Sequence, residues 1–230
     1  EIRDFDPQDY GVKTKDAKRM DLFTQYGVAA ASLAIEDSGL KLGEYNDTVG
    51  TMIGTGIGGL MTLEEEKRRL IESQNPSRVS PFLIPMMMPN AVNAYVSIIH
   101  KLTGTSPCPA NACATGAYSL IYASKDIALG DFDVIVAGGS EAIITEIAAS
   151  SFANMKALSR RNDEPKRACR PFDKDRDGFV IGEGAGVMVL ENLEHALARG
   201  AKIYAEIVGY TTNTDAYHIT APDPEARLVK

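Results

Sequence analysis

At 230 residues the chain is long enough to bury a substantial core and too long for a disulfide-stapled miniprotein. Its 44% hydrophobic and 24% charged residues lie near the globular average, which excludes wholesale disorder, and a formal net charge of −7 argues against a general binder of nucleic acid or anionic membrane. Three cysteines make no disulfide framework. The most apolar stretch, residues 83–99, is interrupted by Pro85, Pro89, Asn90 and Asn93, so no membrane span is expected. The opening Glu1-Ile2-Arg3-Asp4 carries neither an initiator Met nor a basic, apolar leader. It reads as part of something longer, without a secretory signal, in a reducing compartment: the cytoplasm, or an organelle matrix or stroma.

In chain order, residues 21–37 have helical apolar spacing and Gly39 supplies the stop. Thr48 to Ile53 is a β-branched strand running into the turn Gly54-Thr55-Gly56-Ile57-Gly58-Gly59. Thr62 to Ser73 reads as a charged helix, and Asn90 to Leu102 as a helix launched after Pro89. Ala114 to Leu129 has helical spacing and closes at Gly130. Residues 133–137 form a short buried strand ending in Gly138-Gly139. Gly186 to Leu190 and Lys202 to Val208 read as two later strands, with a helix from Leu193 to Arg199 between them. Alternating strands and helices predict a layered α/β fold with a mainly parallel or mixed sheet, and no linker divides the chain.

Several motifs suggest chemistry. Gly54-x-Gly56-x-x-Gly59 after a strand fits a dinucleotide turn, but the second strand with its acidic end, due about twenty residues on, is replaced by turn-like Gln74-Asn75-Pro76-Ser77-Arg78. Close backbone packing, or an unbranched ligand passing the glycines, fits better. Asp173-x-Asp175-x-Asp177-Gly178 begins like a calcium loop, yet position twelve is Gly184, with Glu183 one residue short. A salt-bridged turn is expected there. His100, His195 and His218 are too scattered for a zinc site; His195 reads as an exposed residue beside Glu191 and Glu194, and His100 as a cation suited to a helix end.

Cys113 differs from these. It stands at a predicted strand-to-helix junction, Asn111-Ala112-Cys113-Ala114-Thr115-Gly116-Ala117, among small residues. A thiol at a helix N-terminus meets free backbone N–H groups and the positive dipole end, which favours thiolate, and small neighbours leave room for a substrate. The Cys113 backbone N–H would help hold an oxyanion. The plainer alternative is an inert core thiol. Cys108 and Cys169 read as structural or surface thiols.

The chain resembles the elongating, type II β-ketoacyl-acyl carrier protein synthases of the thiolase-like condensing enzyme family. The motifs that carry this run almost end to end: Lys18-Arg19-Met20-Asp21, Ile53 to Gly59, Ser80-Pro81-Phe82, Ala112-Cys113-Ala114-Thr115-Gly116, and Val136 to Ala142. They continue through Lys156-Ala157-Leu158-Ser159, Cys169-Arg170-Pro171-Phe172, Asp175 to Val180, Gly182 to Gly186, and Asp215 to Pro222.

The resemblance implies a thiolase-like layered α/β fold, of which residues 1–230 are the N-terminal half without its first strand, truncated at both ends and lacking the C-terminal half. It implies that Cys113 is the nucleophile, acylated from acyl carrier protein, and that condensation with malonyl carrier protein follows in the whole enzyme. Gly56, Ile57 and Phe152 match acyl-pocket positions, and His218 a position near the active-site entrance. Lys18, Arg19, Arg78 and Lys156 match a basic patch that docks the acidic carrier, although ordinary solvated charges are the alternative. A homodimer without metal or organic cofactor is implied. The family's two catalytic histidines and the gate completing its oxyanion hole would lie beyond Lys230, so these residues by themselves are expected to be acylated but not to condense. A non-catalytic carrier-binding or dimer-partner role, and a polyketide-type ketosynthase, are the other readings; a nicotinamide oxidoreductase rests on the glycine turn alone.

Overall fold

The computed structural model describes residues 1–228. Its elements are a single turn α1 (Thr14–Ala17), α2 (Leu22–Ser38), β1 (Val49–Gly54), α3 (Leu60–Ser73), a short α4 (Leu83–Met87), α5 (Ala91–His100) and α6 (Thr115–Ala128). They continue with β2 (Val134–Ala142), α7 (Glu146–Asn154), β3 (Glu183–Glu191) and α8 (Leu193–Ala198). The sheet order is β1-β2-β3. β1 and β2 run parallel, with Val49 opposite Val134 and Gly54 opposite Gly139, while β3 is antiparallel to β2.

Alternate residues of the strands feed two separate cores. Val49, Ile53, Val134 and Val136 join Phe23, Val28 and Ile35 of α2 and Val92 and Val96 of α5. Met52, Ile135 and Ala137 face the other way, toward Leu120, Ala123 and Ile127 of α6. Helices therefore cover both faces of the sheet, and strands buried on both sides need no polar alternation. That is why Val134-Ile135-Val136-Ala137 is an unbroken apolar run.

Buried polar side chains hold the layers in register. Asp21 caps α2 by accepting from Phe23 N at 3.2 Å, and its second oxygen takes Thr62 N at 2.9 Å and Thr62 Oγ1 at 2.6 Å, tying α3 to α2. Gly39, at φ +65°, ends α2 in the left-handed conformation. The fully buried Asn93 of α5 accepts from Ile53 N at 2.7 Å and donates to Ile53 O at 2.8 Å, so its amide serves β1 as a partner strand would.

The structure departs from the expectations in four places. β2 does not stop at Gly138-Gly139 but continues to Ala142, because these glycines accept close neighbours: a Cβ on Gly138 would lie 2.0 Å from Gly186 O of β3. Residues 202–208 are exposed and pair with no strand among the described residues, despite their β-branched composition; β propensity needs a partner to express it. His100 is not a helix-end cation: it is half-buried, its ring lies 3.1 Å from Ser32 Oγ, and burial holds its pKa below the usual imidazole value. The segment before Cys113 is not a strand either; Cys113 lies in a single 3-10 turn, Ala112–Ala114. The Asp-rich loop is the expected ionic turn. Asp173 pairs with Arg170 at 2.8 Å, Asp177 accepts from Ser159 Oγ at 2.6 Å and Arg160 N at 2.9 Å, and no metal-binding cluster occurs among the described residues.

Glu191, at the end of β3, closes the sheet onto α8 and α2. It takes Arg199 Nε and Nη2, both at 2.6 Å, and the His195 ring nitrogen at 2.5 Å, while Arg199 Nη1 donates to Ser38 O at 2.9 Å. Burial opposes its charge, but the hydrogen bonds from Arg199 and His195 outweigh this and hold the carboxyl below its ordinary value of 4.5. Because the folded pKa is depressed, its contribution is fully present above that ordinary value and is lost as pH falls through the folded one. We expect Arg199→Met to cost about 1–3 kcal/mol at neutral pH and to flatten the dependence of the thermal midpoint on pH below about 4.5. Calorimetric scans across that range check it; a variant as acid-sensitive as the parent would contradict it.

Candidate active site

The Cys113 turn is built by hydrogen bonds to one buried side chain. Thr115 Oγ1 accepts from Asn111 N at 2.8 Å and donates to Ala112 O at 2.7 Å, clamping both residues that precede the cysteine. Ala112 sits at φ +47°, a left-handed conformation that costs a non-glycine residue energy and is retained only when its surroundings enforce it. The turn raises Cys113 to the surface. It also leads directly into α6: Ala114 N donates to Asn111 O at 3.1 Å and Thr115 N to Ala112 O, while the N–H of Cys113 itself has no acceptor among the described residues.

Glycines set how closely this turn sits on the sheet. A Cβ on Gly54 would lie 2.2 Å from Thr115 Cγ2 and 2.6 Å from Pro109 O, and one on Gly139 would lie 3.2 Å from the Gly116 Cα. α6 therefore starts directly on the end of β1 and on Gly139 of β2. The turn after β1 also packs closely, since a Cβ on Gly59 would lie 2.5 Å from the Met87 Cα of α4. Gly56 lies against both Glu141 and the Cys113 turn. Its N–H donates to Glu141 Oε2 at 2.7 Å, and an added Cβ would lie 3.5 Å from Ala112 O. Thr55 Oγ1 donates to Glu141 Oε1 at 2.9 Å and accepts from Gly58 N at 3.1 Å.

Among the other residues singled out in the sequence, Ile57 is 44% exposed next to Gly56. Phe152 of α7 packs edge-to-face on Phe179, their centroids 5.2 Å apart. His218 Nδ1 accepts from Thr220 N at 3.2 Å and Ala221 N at 3.1 Å, which leaves the proton of the neutral ring on Nε2. Among the described residues no hydrogen bond or ring contact joins His218 or Phe152 to the Cys113 turn. Arg19, two residues beyond α1, holds its guanidinium 4.3 Å from the Phe82 ring centroid. Lys18, Arg78 and Lys156 are exposed, Lys156 at φ +58° in the turn after α7. None of the four cations forms an ion pair among the described residues.

A cleft of about 720 Å³ opens between β3, α8 and residues 201–207, but no residue of the Cys113 turn lines it, so it is not this site. Reading the sequence missed the parts played by Thr115, Glu141 and Asn93. Thr115 and Glu141 lie inside quoted motifs, and their signal is an isolated polar residue where a strand or turn of small residues ends.

The family model described as the N-terminal domain of β-ketoacyl synthase matches residues 1–196, and the chain belongs to that family. The 3-oxoacyl-(acyl-carrier-protein) synthase 2 of Vibrio cholerae is 50% identical over 225 residues, covering 97% of this chain and 54% of that protein. The enzyme of the same name from Synechocystis is 48% identical, covering 99% and 54%. The chain thus spans about half the length of these curated relatives. A β-ketoacyl synthase from Burkholderia phymatum superposes with a TM-score of 0.86 at 36% identity, over 98% of this chain and 55% of that one. A type II polyketide ketosynthase solved in complex with its acyl-carrier protein gives 0.81 at 31% identity, over 85% and 50%. The fold is the thiolase-like layered fold of these ketosynthases.

Cys108 is half-buried, and burial pushes its thiol pKa up. Thiolate fraction and access set the rate of alkylation. Limited iodoacetamide at near-neutral pH is therefore expected to modify the exposed Cys113 and Cys169 before Cys108. Peptide mapping checks the order, and modification of Cys108 ahead of Cys113 would count against an accessible, reactive Cys113.

Proposed function

We propose that this chain is the acyl-accepting part of a condensing enzyme of fatty acid elongation. Its thiolate at Cys113 attacks the carbonyl carbon of an acyl carrier protein thioester, the bond to the carrier sulfur breaks, and the carrier leaves as a thiolate that takes a proton from water. At full length the enzyme then joins this acyl group to malonyl carrier protein. Loss of carbon dioxide from the malonyl group supplies the carbon nucleophile that displaces Cys113, giving a β-ketoacyl product two carbons longer. The reading assigns residues 1–230 to the N-terminal thiolase-like half, with donors for the decarboxylation step coming from the other half.

The observation that carries this is the exposed Cys113 on an enforced turn at the head of α6. An attacked carbonyl there would meet the free N–H of Cys113, which stabilises the developing oxyanion without a metal or organic cofactor. Supporting it are relatives near 50% identity whose name states the reaction class. Gly56, Ile57 and Phe152 are assigned to the acyl pocket, on their match to the family's positions. His218, its Nδ1 occupied within its own turn, is assigned to the entrance. Lys18, Arg19, Arg78 and Lys156 are assigned to carrier docking, which a net-acidic protein accommodates because steering follows local potential. A homodimer and a cytoplasmic or organellar site complete the reading; no helix of the described residues is long and apolar enough to cross a membrane.

Two substitutions test it in the full-length protein. Cys113→Ala is expected to abolish the acyl adduct seen by intact mass, and an adduct persisting at another residue would refute the assignment. Ile57→Phe is expected to slow transfer of long acyl chains by about tenfold or more relative to short ones, because the ring fills space beside Gly56. Equal slowing of both would make Ile57 a packing residue.

A further inference from the structure

We propose that Glu141 is a positioning residue for acyl-chain selection: its carboxylate fixes the turn 55–58 against the Cys113 turn and thereby sets the depth at which Ile57 meets the chain. This rests on the proposed reading of Cys113 as acyl acceptor and of Gly56 and Ile57 as pocket wall.

Both carboxylate oxygens are committed to one turn, Oε2 to Gly56 N at 2.7 Å and Oε1 to Thr55 Oγ1 at 2.9 Å. Thr55, itself buried, passes the restraint on to Gly58 N at 3.1 Å. Thr55, Gly56 and Gly58 thus hang from a single side chain, and Ile57 is the residue between them. Glu141 forms no ion pair among the described residues, so its charge is spent on these donors. Its backbone belongs to the rigid sheet, in register with Gly184 of β3. The side of Gly56 that faces Glu141 Oε2 also faces Ala112 O, one residue before Cys113: a Cβ there would lie 2.7 Å from the first and 3.5 Å from the second. The glycine turn is therefore tied to a sheet-borne carboxylate at the point where it meets the turn that carries the thiol. Without this tie, Ile57 is free to enter the space that a long chain needs, while a short chain ends before reaching it.

The test measures transfer of butyryl and dodecanoyl groups from carrier thioesters to Cys113 by intact mass, using the full-length protein. Glu141→Ala is expected to lower the dodecanoyl-to-butyryl rate ratio about five- to tenfold, the effect of losing hydrogen bonds to a charged acceptor. Glu141→Gln is expected to keep the ratio within about twofold, since its carbonyl still accepts from Gly56 N–H and its amide N–H donates to Thr55 Oγ1. Thr55→Val, which conserves shape, is expected to shift the ratio in the same direction as the alanine variant and keeps the test open if that variant folds poorly. Equal losses for both donors in a folded Glu141→Ala or Thr55→Val protein would overturn the proposal, as would an unchanged ratio or a Gln variant as impaired as Ala. If the unmodified protein forms no Cys113 adduct with either donor, the underlying reading of Cys113 has failed instead.

Discussion

The absence of side chains where α6 meets the sheet is the constraint on which the site depends. Gly54 and Gly139 end the parallel run of β1 and β2 at the same level, and Gly116 opens α6 directly above them. A methyl group at Gly54 would demand space already filled by Thr115 Cγ2 and Pro109 O. Backbone on both sides leaves little room for relaxation, so the register of α6 against the sheet is set by contact rather than by propensity. Thr115 sits inside that contact, and its hydroxyl holds the Cys113 turn. The packing of the core and the presentation of the thiol are one mechanical problem.

The residues that make the fold were largely legible because their signals are local. Asp21 and Gly39 bracket α2 by capping chemistry that the sequence displays. The apolar run in β2 announces a strand covered on both faces. Residues 202–208 carry the same signal and do not pair among the described residues, since pairing depends on a neighbour that composition does not specify. His100 shows the same limit in electrostatics. Its place at a helix end suggests a cation, but the packing that half-buries it beside Ser32 favours the neutral ring.

Within the site, legibility divides by range. Cys113 among small residues could be singled out from spacing, and the family motifs gave it a role. Thr115 and Glu141 lie in those same motifs, yet what they do follows from contacts over different distances along the chain. Thr115 acts on Asn111 and Ala112, a local arrangement; Glu141 acts on Thr55 and Gly56, more than eighty residues away. The glycine-rich turn shows why a motif read alone misleads. Its spacing resembles a phosphate-binding loop, but the Gly56 N–H that would face an anion is already given to a carboxylate of the protein.

The topology explains why the reactive groups gather where they do. In a parallel pair both strands deliver their carboxyl ends to the same edge, and the loops that follow them are neighbours however far apart they lie in sequence. β1 delivers the 55–59 turn and β2 delivers Glu141 to one edge, and α6 begins there with Cys113 just before it. The antiparallel β3 runs the other way, and its carboxyl end carries Glu191, whose ion pairs with His195 and Arg199 close the opposite end of the sheet. One end of the layered structure is thus occupied by charges that neutralise one another. At the other, the carboxylate of Glu141 is spent on backbone and hydroxyl donors, and the residues that flank Cys113 in the chain are small and uncharged. The edge that carries the thiol is thus the end of a sheet whose far end is anchored by ion pairs.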